Sequence, residues 1–479
     1  MIGRIEEQKL LLSLLEEDEP QFVAVFGRRR IGKTYLVRET FQHKFTFQHT
    51  GVSNADLTPG TRKKTQLEKF EESLREAGYR PPQGLKSWND AFNGLKEVIR
   101  HSSARKKVIF IDELSWMDTK GSGLISALES FWNGWVTARA EKDIVLIVCA
   151  SATYWMMDHI VNAKGGLHNR LTAQIHLKPF TLRECKEYMQ SRNIVFSQHQ
   201  LLQCYMILGG VPFYWSLLKR GQSLPQNIDY LFFHENAPLR NEFSNLYRAL
   251  FNKPDQYILI IETLSKVKKG ITREDICAAT KISSSGDLSK KLTELENCGF
   301  IRRYTPFENK KKDDLYLLMD HFTLFYYHFL QGKAHDENEW ENLVNSPSVN
   351  SWSGLAFERI CLEHIPQIKK ALGISGVHTE VYSWRCSPDS ERGIYGSQID
   401  LLISRKDQII NLCEMKYSTA EYMINTEFMR SMNRKISDFQ LCTGTRYAIH
   451  PTLITVYGLF NNAYAADIQA AITACDLFE

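Results

Sequence analysis

The sequence predicts an α/β protein of several domains, the first of which is built on a parallel β-sheet. Three short apolar runs, Gln21 to Phe26, Val108 to Ile111 and Ile144 to Cys149, have the length of strands and are flanked by helix-like segments. Such runs are typical of strands buried on both faces, as in a parallel sheet. From about Thr181 these runs stop and helical patterns follow. At roughly 100 to 200 residues per domain, a chain of 479 residues has room for about three domains.

Composition and charge favour a soluble protein of the reducing cytoplasm. An apolar fraction of 43% with 24% charged residues is ordinary for a globular chain and excludes disordered and fibrous classes. The net charge of +4 is too small for a protein that coats nucleic acid, so any nucleic-acid contact is expected to be local. The ten cysteines, from Cys149 to Cys475, contain no CxxC pair, and so favour neither a zinc site nor a disulfide framework.

Export and membrane insertion are not expected. The segment Met1 to Glu7 lacks the basic and then apolar pattern of a signal peptide. The longest uncharged segment, Leu201 to Leu218, contains Gly209-Gly210 and Pro212, which favour a buried helix, a turn and a second helix. We therefore expect no membrane partner.

The later part of the chain has the patterns of further domains. An apolar helix from Tyr257 to Leu264 precedes a helix that Thr272 can cap, and a third helix runs from Leu288 to Cys298. Two strand-like runs then flank a charged loop, and this order of helices and hairpin is that of a winged helix. A polar stretch rich in Asn, Glu and Ser predicts a linker. The predicted boundaries are 1–180 for the parallel-sheet core, 181–250 for a helical lid, 251–333 for the winged helix, 334–350 for the linker and 351–479 for the last domain.

A phosphate-binding loop follows the first apolar strand. Residues 27–34 read Gly-Arg-Arg-Arg-Ile-Gly-Lys-Thr, which matches G-x-x-x-x-G-K-[ST] at each fixed position and opens a helix. In such a loop, backbone N–H groups and the start of the helix face phosphate oxygens. Lys33 would bridge the β- and γ-phosphates and the Thr34 hydroxyl would bind Mg²⁺. The alternative is a glycine turn with a chance Lys-Thr pair.

Two carboxylates end the second apolar run. Asp112, at the carboxyl edge of the predicted sheet, can hold the water shell of the metal, and Glu113 can orient and polarise an attacking water. This pair predicts hydrolysis as well as binding. An Asp-Glu helix cap is the alternative interpretation.

Two further side chains are candidates for the same site. Ser151 follows the third apolar run and can hydrogen-bond the γ-phosphate or the water, unless it is a plain helix cap. Arg170 can stabilise the transferring phosphoryl group in its own or a neighbouring subunit, which would make the protein a homo-oligomer, or it is a surface arginine.

Together these motifs, with Ile2-Gly3-Arg4, Glu6 and Gly209-Gly210-Val211-Pro212, resemble the AAA+-related archaeal and bacterial ATPases of the STAND-like branch over roughly the first 330 residues. The resemblance implies ATP with Mg²⁺, slow and regulated turnover, and base contacts by Gly3 and Arg4. The predicted nucleotide-binding residues are Gly3, Arg4, Gly27, Arg28, Arg29, Arg30, Ile31, Gly32, Lys33, Thr34 and Tyr35, and the predicted catalytic residues of this site are Lys33, Asp112, Glu113, Ser151 and Arg170. We find no unambiguous second arginine sensor in the lid.

The last domain contains a second group of candidate site residues. Asp400 lies in the strand-like run Gln398 to Ser404, and Glu414 and Lys416 lie two residues apart in the next run. Residues two apart on a strand point to the same face, so these side chains can meet. Carboxylates hold Mg²⁺ or Mn²⁺ and a lysine can position or deprotonate water, while Glu358 on the preceding helix can complete the metal shell.

This pattern resembles the PD-(D/E)xK nuclease superfamily. The predicted fold is therefore a multidomain α/β protein with a P-loop NTPase parallel sheet, a helical lid, a winged helix and a C-terminal restriction-endonuclease-like domain. Gln398 stands where members often have another acid, which weakens the metal site. A chance D…E-x-K pattern is the alternative.

DNA is the predicted partner. The winged helix offers contacts to the DNA backbone, unless it serves for protein contacts or as a rigid spacer. Arg434 and Lys435 offer a further phosphate contact, unless they form a solvated helix face. We expect an ATPase whose nucleotide state gates action on nucleic acid by the last domain. The alternatives are a signalling or scaffold switch with an inactive nuclease-like domain, and a non-cutting DNA-binding regulator. The residues of the winged helix predicted to contact DNA are Ser284, Ser285, Lys290, Lys291, Lys310, Lys311 and Lys312.

Overall fold

The first domain is a five-stranded parallel sheet covered by helices on both faces. It belongs to a computed structural model that describes residues 1–53, 57–58, 60–251, 253–283, 286–307, 314–332 and 336–479. The strands follow the order β2-β3-β4-β1-β5, so β4 separates the strand before the glycine loop from the strand that ends in Asp112. The elements are α1 (Ile5–Ser13), β1 (Gln21–Phe26), α2 (Lys33–Thr40), β2 (Phe47–Thr50), α3 (Arg62–Glu76), α4 (Trp88–His101), β3 (Lys107–Asp112), α5 (Leu114–Met117), α6 (Leu124–Phe131), β4 (Ile144–Ala150), α7 (Thr153–Met156) and β5 (Ala173–His176).

The three central strands were predicted because each contains an uninterrupted apolar run. Each residue of β1, β3 and β4 is buried. One hydrophobic cluster lies on the face that packs α3, α4 and α6, and another lies on the face that packs α1 and α2. These two clusters hold the carboxyl ends of β1, β3 and β4 side by side, because parallel strands end at the same edge.

The lid is helical, as predicted, and begins with a capping box from Thr181 to Glu184. Its Gly-Gly turn is required sterically: Gly209 has φ 57°, and a Cβ on Gly210 would lie 1.9 Å from the carbonyl oxygen of Phe180. The apolar segment is thus a helix, a turn and a second helix, and in the described part of the chain no helix is both long and apolar enough to cross a membrane. The lid helices are α8 (Leu182–Ser191), α9 (Gln198–Leu208), α10 (Pro212–Ser216), α11 (Leu224–Phe232) and α12 (Glu242–Leu250).

The middle domain has the helices and antiparallel strands in the predicted order. Thr272 caps its second helix with a reciprocal bond from Asp275, and Gly299 ends the third helix with φ 74°. Its three strands pair in the order β6-β8-β7. Ser284, Ser285 and Lys310 to Lys312 lie outside the described residues. The elements are α13 (Pro254–Ser265), β6 (Ile271–Thr272), α14 (Arg273–Thr280), α15 (Gly286–Asn297), β7 (Ile301–Tyr304), β8 (Leu315–Leu318) and α16 (His321–Phe325).

The predicted linker at 334–350 is wrong for its described residues. Helix α17 (Glu339–Leu343) lies there, and α18 (Pro347–Glu363) begins within it. Trp340 is 3% exposed, and Asp229 of α11 accepts bonds from the backbone N–H groups of Trp340 at 2.7 Å and Glu341 at 3.1 Å. One buried tryptophan therefore fixes a segment that is otherwise polar.

The C-terminal domain is a mixed sheet between two helices. Its strand order is β13-β12-β11-β10-β9, with β9, β10 and β11 antiparallel and β12 and β13 parallel to β11. Helix α18 packs on one face of the sheet and α20 on the other. The elements after α18 are α19 (Ile365–Ala371), β9 (Thr379–Cys386), β10 (Ser397–Arg405), β11 (Ile409–Lys416), α20 (Thr426–Thr443), β12 (Ala448–Thr455) and β13 (Ala470–Thr473).

Outside the first domain, one hydrophobic cluster joins the lid, the middle domain and one face of the C-terminal sheet, while the other face of that sheet has smaller clusters of its own. One cluster includes Leu208 of the lid, Phe300 of the middle domain and Phe357 of the C-terminal domain. The clusters of the first domain are separate from it. The chain therefore has two packed bodies, and we call the boundary between them the seam.

Candidate functional site

The glycine loop between β1 and α2 has the backbone that a phosphate loop needs. Gly27 has φ 144° and Gly32 has φ 90°, and a Cβ on Gly27 would lie 2.3 Å from the carbonyl oxygen of Leu177. Lys33 begins α2 and is 5% exposed. Its ammonium donates to the carbonyl oxygens of Gly27 and Arg28, both at 3.0 Å, so the lysine is folded back over the loop.

Thr34 and Asp112 are in direct contact. The Thr34 hydroxyl donates to Asp112 Oδ2 at 2.7 Å, although the two residues are 78 positions apart. A hydroxyl and a carboxylate beside a phosphate loop are oxygen donors of the kind Mg²⁺ prefers. These residues fit a magnesium ion that accompanies a nucleotide.

Glu113 and Ser151 form the next layer of the site. Ser151 donates to Glu113 through its hydroxyl at 2.5 Å and through its backbone N–H at 3.1 Å. Lys33 also donates to the Ser151 hydroxyl at 3.0 Å. Glu113 itself has φ 49° and ψ 44°, a left-handed conformation that costs free energy in a residue with a side chain and that clusters at active sites. The strand ends thus hold lysine, serine and glutamate in one chain of contacts.

Burial destabilises the charges in this pocket. It lowers the pKa of Lys33 and raises the pKa of Asp112, even though each group lies near a charge of the opposite sign. A ligand that brings phosphate anions and a divalent cation together would therefore stabilise the charged forms of both groups.

Two arginines of the loop cross the seam. Arg28 forms a buried ion pair with Asp320, at the start of α16, and its guanidinium carbon lies 4.8 Å from the centre of the Phe300 ring. Arg30 pairs with Glu242 of the lid at 2.9 Å and lies 4.1 Å from the centre of the Phe213 ring. The loop that would hold phosphate is thus also the polar contact between the two bodies.

Gly3 and Arg4 lie against the lid side of the loop. Arg4 is 7% exposed and donates to the carbonyl oxygen of Lys178 at 2.6 Å and to that of Ile31 at 3.5 Å. A Cβ on Gly3 would lie 2.5 Å from a carboxylate oxygen of Glu184. Of the other predicted nucleotide contacts, Ile31 is buried in the core, Arg29 is half-buried and Tyr35 is 58% exposed on α2.

Arg170 does not join this site. Thr172 donates its backbone N–H to the carbonyl oxygen of Phe22, and Ala173 pairs with Val23, so Arg170 lies at the amino edge of the sheet. The loop lies beyond the opposite end of β1. The four-residue strand β5 separates Arg170 from the loop by about 10 Å at roughly 3.3 Å per residue. The prediction that Arg170 contacts a nucleotide in the same subunit is therefore wrong. Contact with the nucleotide of a neighbouring subunit stays a prediction.

In the C-terminal domain, Glu358 and Asp400 share one cleft. Asp400 lies at a bulge of β10, where two residues oppose Ser383 of β9, and Gln398 donates to its carboxylate at 2.7 Å. Burial, followed by the charge of Asp400, raises the pKa of Glu358 to about 7. The cleft lies between the middle and C-terminal domains and is lined on the middle-domain side by Lys268, Lys269, Gly270, Arg302 and Tyr304.

Glu414 and Lys416 are engaged with each other. Lys416 lies 3.8 Å from Glu414, and Lys435 of α20 donates to the same carboxylate. Lys435 is therefore bound within the domain, whereas Arg434 lies 4.8 Å from the exposed Tyr395 ring. Among the described residues, no three His, Cys, Asp or Glu side chains are grouped so as to hold a metal ion, and the predicted set of Glu358, Asp400 and Glu414 forms no such group, although Asp400 and Glu414 both lie close enough for their charges to raise the pKa of Glu358.

Of the predicted DNA contacts of the middle domain, the described residues Lys290 and Lys291 both have neighbours within the protein. Lys291 is 5% exposed and pairs with Asp287 on its own helix. Lys290 points to the first domain, with its ammonium 5.2 Å from the centre of the Tyr154 ring. Helix α15, the recognition helix of the predicted winged helix, packs against α7 in this arrangement.

Sequence reasoning missed the residues that face the loop across the seam. Asp320 is 292 positions from Arg28, and Glu242 comes from the lid. The available signal was the run of three arginines within the loop, because buried cations need partners.

Comparisons with known proteins agree with the nucleotide site. Residues 2–218 match the model of a family described as an ATPase domain predominantly from Archaea. An uncharacterised protein of Methanocaldococcus jannaschii is 23% identical over 441 residues, which is 91% of each chain. The Walker-type ATPase of Pyrococcus abyssi is 15% identical, covers 68% of this chain and 96% of its own, and has a TM-score of 0.47. The ORC2 protein of Aeropyrum pernix is 12% identical, covers 76% and 96%, and has a TM-score of 0.40. Residues 2–218 therefore carry a P-loop ATPase domain similar to that of this mainly archaeal family.

Proposed function

We propose that the protein binds and hydrolyses ATP at the loop of residues 27–34 and uses the nucleotide state to control a C-terminal domain that acts on nucleic acid. The observation that carries the ATPase part is the chain of contacts from Lys33 through Ser151 to Glu113, beside the Thr34 and Asp112 pair.

The residues of the nucleotide site divide the work. Backbone N–H groups of the loop and the Lys33 ammonium bind the phosphates, and the lysine exchanges its two carbonyl contacts for phosphate oxygens. Thr34 and Asp112 would hold Mg²⁺, which neutralises charge on the phosphates when bound. Glu113, oriented by Ser151, accepts hydrogen bonding from the attacking water and aligns it with the γ-phosphate.

The nucleic-acid part is supported by the C-terminal cleft. Two carboxylates, Glu358 and Asp400, lie opposite Lys268, Lys269 and Arg302 of the middle domain. Basic side chains bind phosphodiester groups, and a pair of carboxylates that repel each other favours a divalent cation. Helix α18, the β9–β11 meander, helix α20 and strand β12 also follow the order expected of a PD-(D/E)xK nuclease core.

A non-cutting switch is the second candidate. It is favoured by the Lys435 and Lys416 contacts of Glu414 and by the amide of Gln398 on Asp400, since each contact occupies an oxygen that a metal would need. In that case the C-terminal domain grips nucleic acid or another partner without cleaving it.

A cleavage assay separates these candidates. Plasmid, linear and single-stranded DNA are incubated with the full chain and Mg²⁺ or Mn²⁺, with and without ATP, and phosphate release is followed in the same samples. We expect cleavage by wild type and not by Asp400→Ala, with equal phosphate release by both. Lys33→Ala should release no phosphate. Intact DNA under every condition, with normal phosphate release, would leave the switch as the function.

A further inference from the structure

The Arg28 side chain leaves the ATPase domain and ends inside the middle domain. Arg28 is the second residue of the phosphate loop and is 5% exposed. One of its terminal nitrogens donates to Asp320, and its guanidinium lies over the Phe300 ring. The Arg28 side chain is therefore held by a carboxylate from outside its own domain.

Asp320 is built to hold that arginine. It is 5% exposed, and its second carboxylate oxygen accepts from the backbone N–H of Thr323 at 3.0 Å, which caps α16. Burial alone would raise the pKa of Asp320, but the charge and hydrogen bond of Arg28 outweigh burial and lower it below the ordinary value of 3.8. The pair is thus charged throughout the range in which proteins work.

Arg28 has unused capacity for an anion. Within the described part of the chain, its Nε and Nη2 atoms are buried without a hydrogen-bond partner. Its backbone carbonyl oxygen accepts from the ammonium of Lys33 at 3.0 Å, so the side chain starts from a backbone position beside the group that would bind phosphate. A guanidinium with free N–H groups binds phosphate in the same manner as carboxylate.

We infer that Asp320 is a positioning residue of the nucleotide site, and that the phosphates of ATP compete with it for Arg28. The inference rests on the proposed ATP binding and adds a residue from beyond the ATPase domain to it. Binding of ATP then weakens the Arg28–Asp320 pair, and the pair in turn lowers the affinity for ATP, as linkage requires.

The same junction touches the C-terminal domain. The carbonyl oxygen of Leu318, two residues before Asp320, accepts from Arg359 of α18 at 3.2 Å. His321, one residue after it, lies 3.1 Å from Glu363 of the same helix. Helix α18 also carries Glu358. The segment around Asp320, which pairs with Arg28 of the phosphate loop, is therefore hydrogen-bonded to the helix that lines the C-terminal cleft.

The test is equilibrium binding of MgATP to the full chain and to Asp320→Asn. Asparagine keeps an oxygen for the Thr323 cap but removes the charge that holds Arg28. We expect Asp320→Asn to bind MgATP about tenfold more tightly, because a buried cation without its partner gains more from an anion. The matched control is Asp143→Asn, which removes the charge of another buried carboxylate, paired with Lys107 at the amino edge of the sheet, and should bind MgATP like wild type.

A double-mutant cycle with Arg28→Met shows whether the effect passes through Arg28. Asp320→Asn should change the affinity in the wild-type background and not in the Arg28→Met background, and Arg28→Gln replaces the methionine variant if the latter does not fold. An equal gain in both backgrounds, or no gain in wild type, would overturn the inference. A wild-type chain that binds no MgATP would instead contradict the proposed function.

Discussion

Glu113 is the residue on which hydrolysis depends most. Its carboxylate is fixed by two bonds from Ser151, and its backbone is held in a left-handed conformation. We expect Glu113→Gln to bind MgATP with wild-type affinity but to release phosphate at least about a hundredfold more slowly, since an amide cannot polarise the water as a base. Steady-state phosphate release measures this, with the exposed Glu16→Gln as control. If Glu113→Gln released phosphate at the wild-type rate, Glu113 would not be the residue that polarises the attacking water.

Glu358 gives the protein a stability that depends on pH. Burial, and then the charge of Asp400, raise its pKa from the ordinary value of 4.5 to about 7. The positive charges of Arg359 and Lys416 offset part of this rise. Between these values the folded state binds the proton that the unfolded state has lost, so this group makes stability fall as pH rises toward 7.

Glu358→Gln should abolish that loss. The difference in the free energy of unfolding between the variant and wild type should therefore shift in favour of the variant by about 2 kcal/mol from pH 5 to pH 8. Urea unfolding at the two pH values measures the gain, and the exposed Glu391→Gln is the control. The assignment fails if both variants follow wild type at both pH values.

At the residue scale, local motifs were predictable and long-range partners were not. The spacing of Gly27, Lys33 and Thr34 is set by the loop itself, and Asp112 follows from the strand that carries it. Asp320 carries no such signal, because its partner is 292 positions away. Arg170 was proposed for the site because a guanidinium can stabilise a transferring phosphoryl group, and the direction of β5 puts it at the other edge of the sheet.

Helix α17 shows how one contact orders a polar segment. Asp229 accepts from two backbone N–H groups at its start, and Trp340 fills a site among Phe325, Phe329 and Trp352. Asp229→Ala should lower the free energy of unfolding by about 1 to 2 kcal/mol, since the cap is lost and two N–H groups are left without an acceptor. Thermal unfolding checks this against the exposed Asp18→Ala. An unchanged midpoint would mean that Trp340 alone holds the helix.

At the element scale, uniform burial decided what could be predicted. Strands β1, β3 and β4 are buried at each position, each contains an uninterrupted apolar run of at least four residues, and all three were found. Strands β2 and β5 have four residues each and alternate or mix buried and exposed positions, so a short window does not distinguish them from loops. The α17 segment was assigned to a linker because its composition is polar, whereas its order comes from tertiary contacts.

At the scale of the whole molecule, the nucleotide site lies where the two bodies meet. The lid, middle and C-terminal domains share one hydrophobic cluster, while the ATPase domain has its own. The contacts made across the seam by the phosphate loop are polar, through Arg28 and Arg30. Polar contacts can be exchanged for phosphate at lower cost than a packed apolar interface can be opened, which makes this boundary responsive to ATP.

Hydrogen exchange of the full chain, with and without a non-hydrolysable ATP analogue and Mg²⁺, tests this account most directly. In wild type we predict that the analogue changes exchange in the loop and also across the seam, at residues 212–220, 242–250 and 314–325, and that Lys33→Ala shows neither change. If the analogue binds to wild type but the changes stay within residues 1–180, the nucleotide does not act through the seam and the account is contradicted.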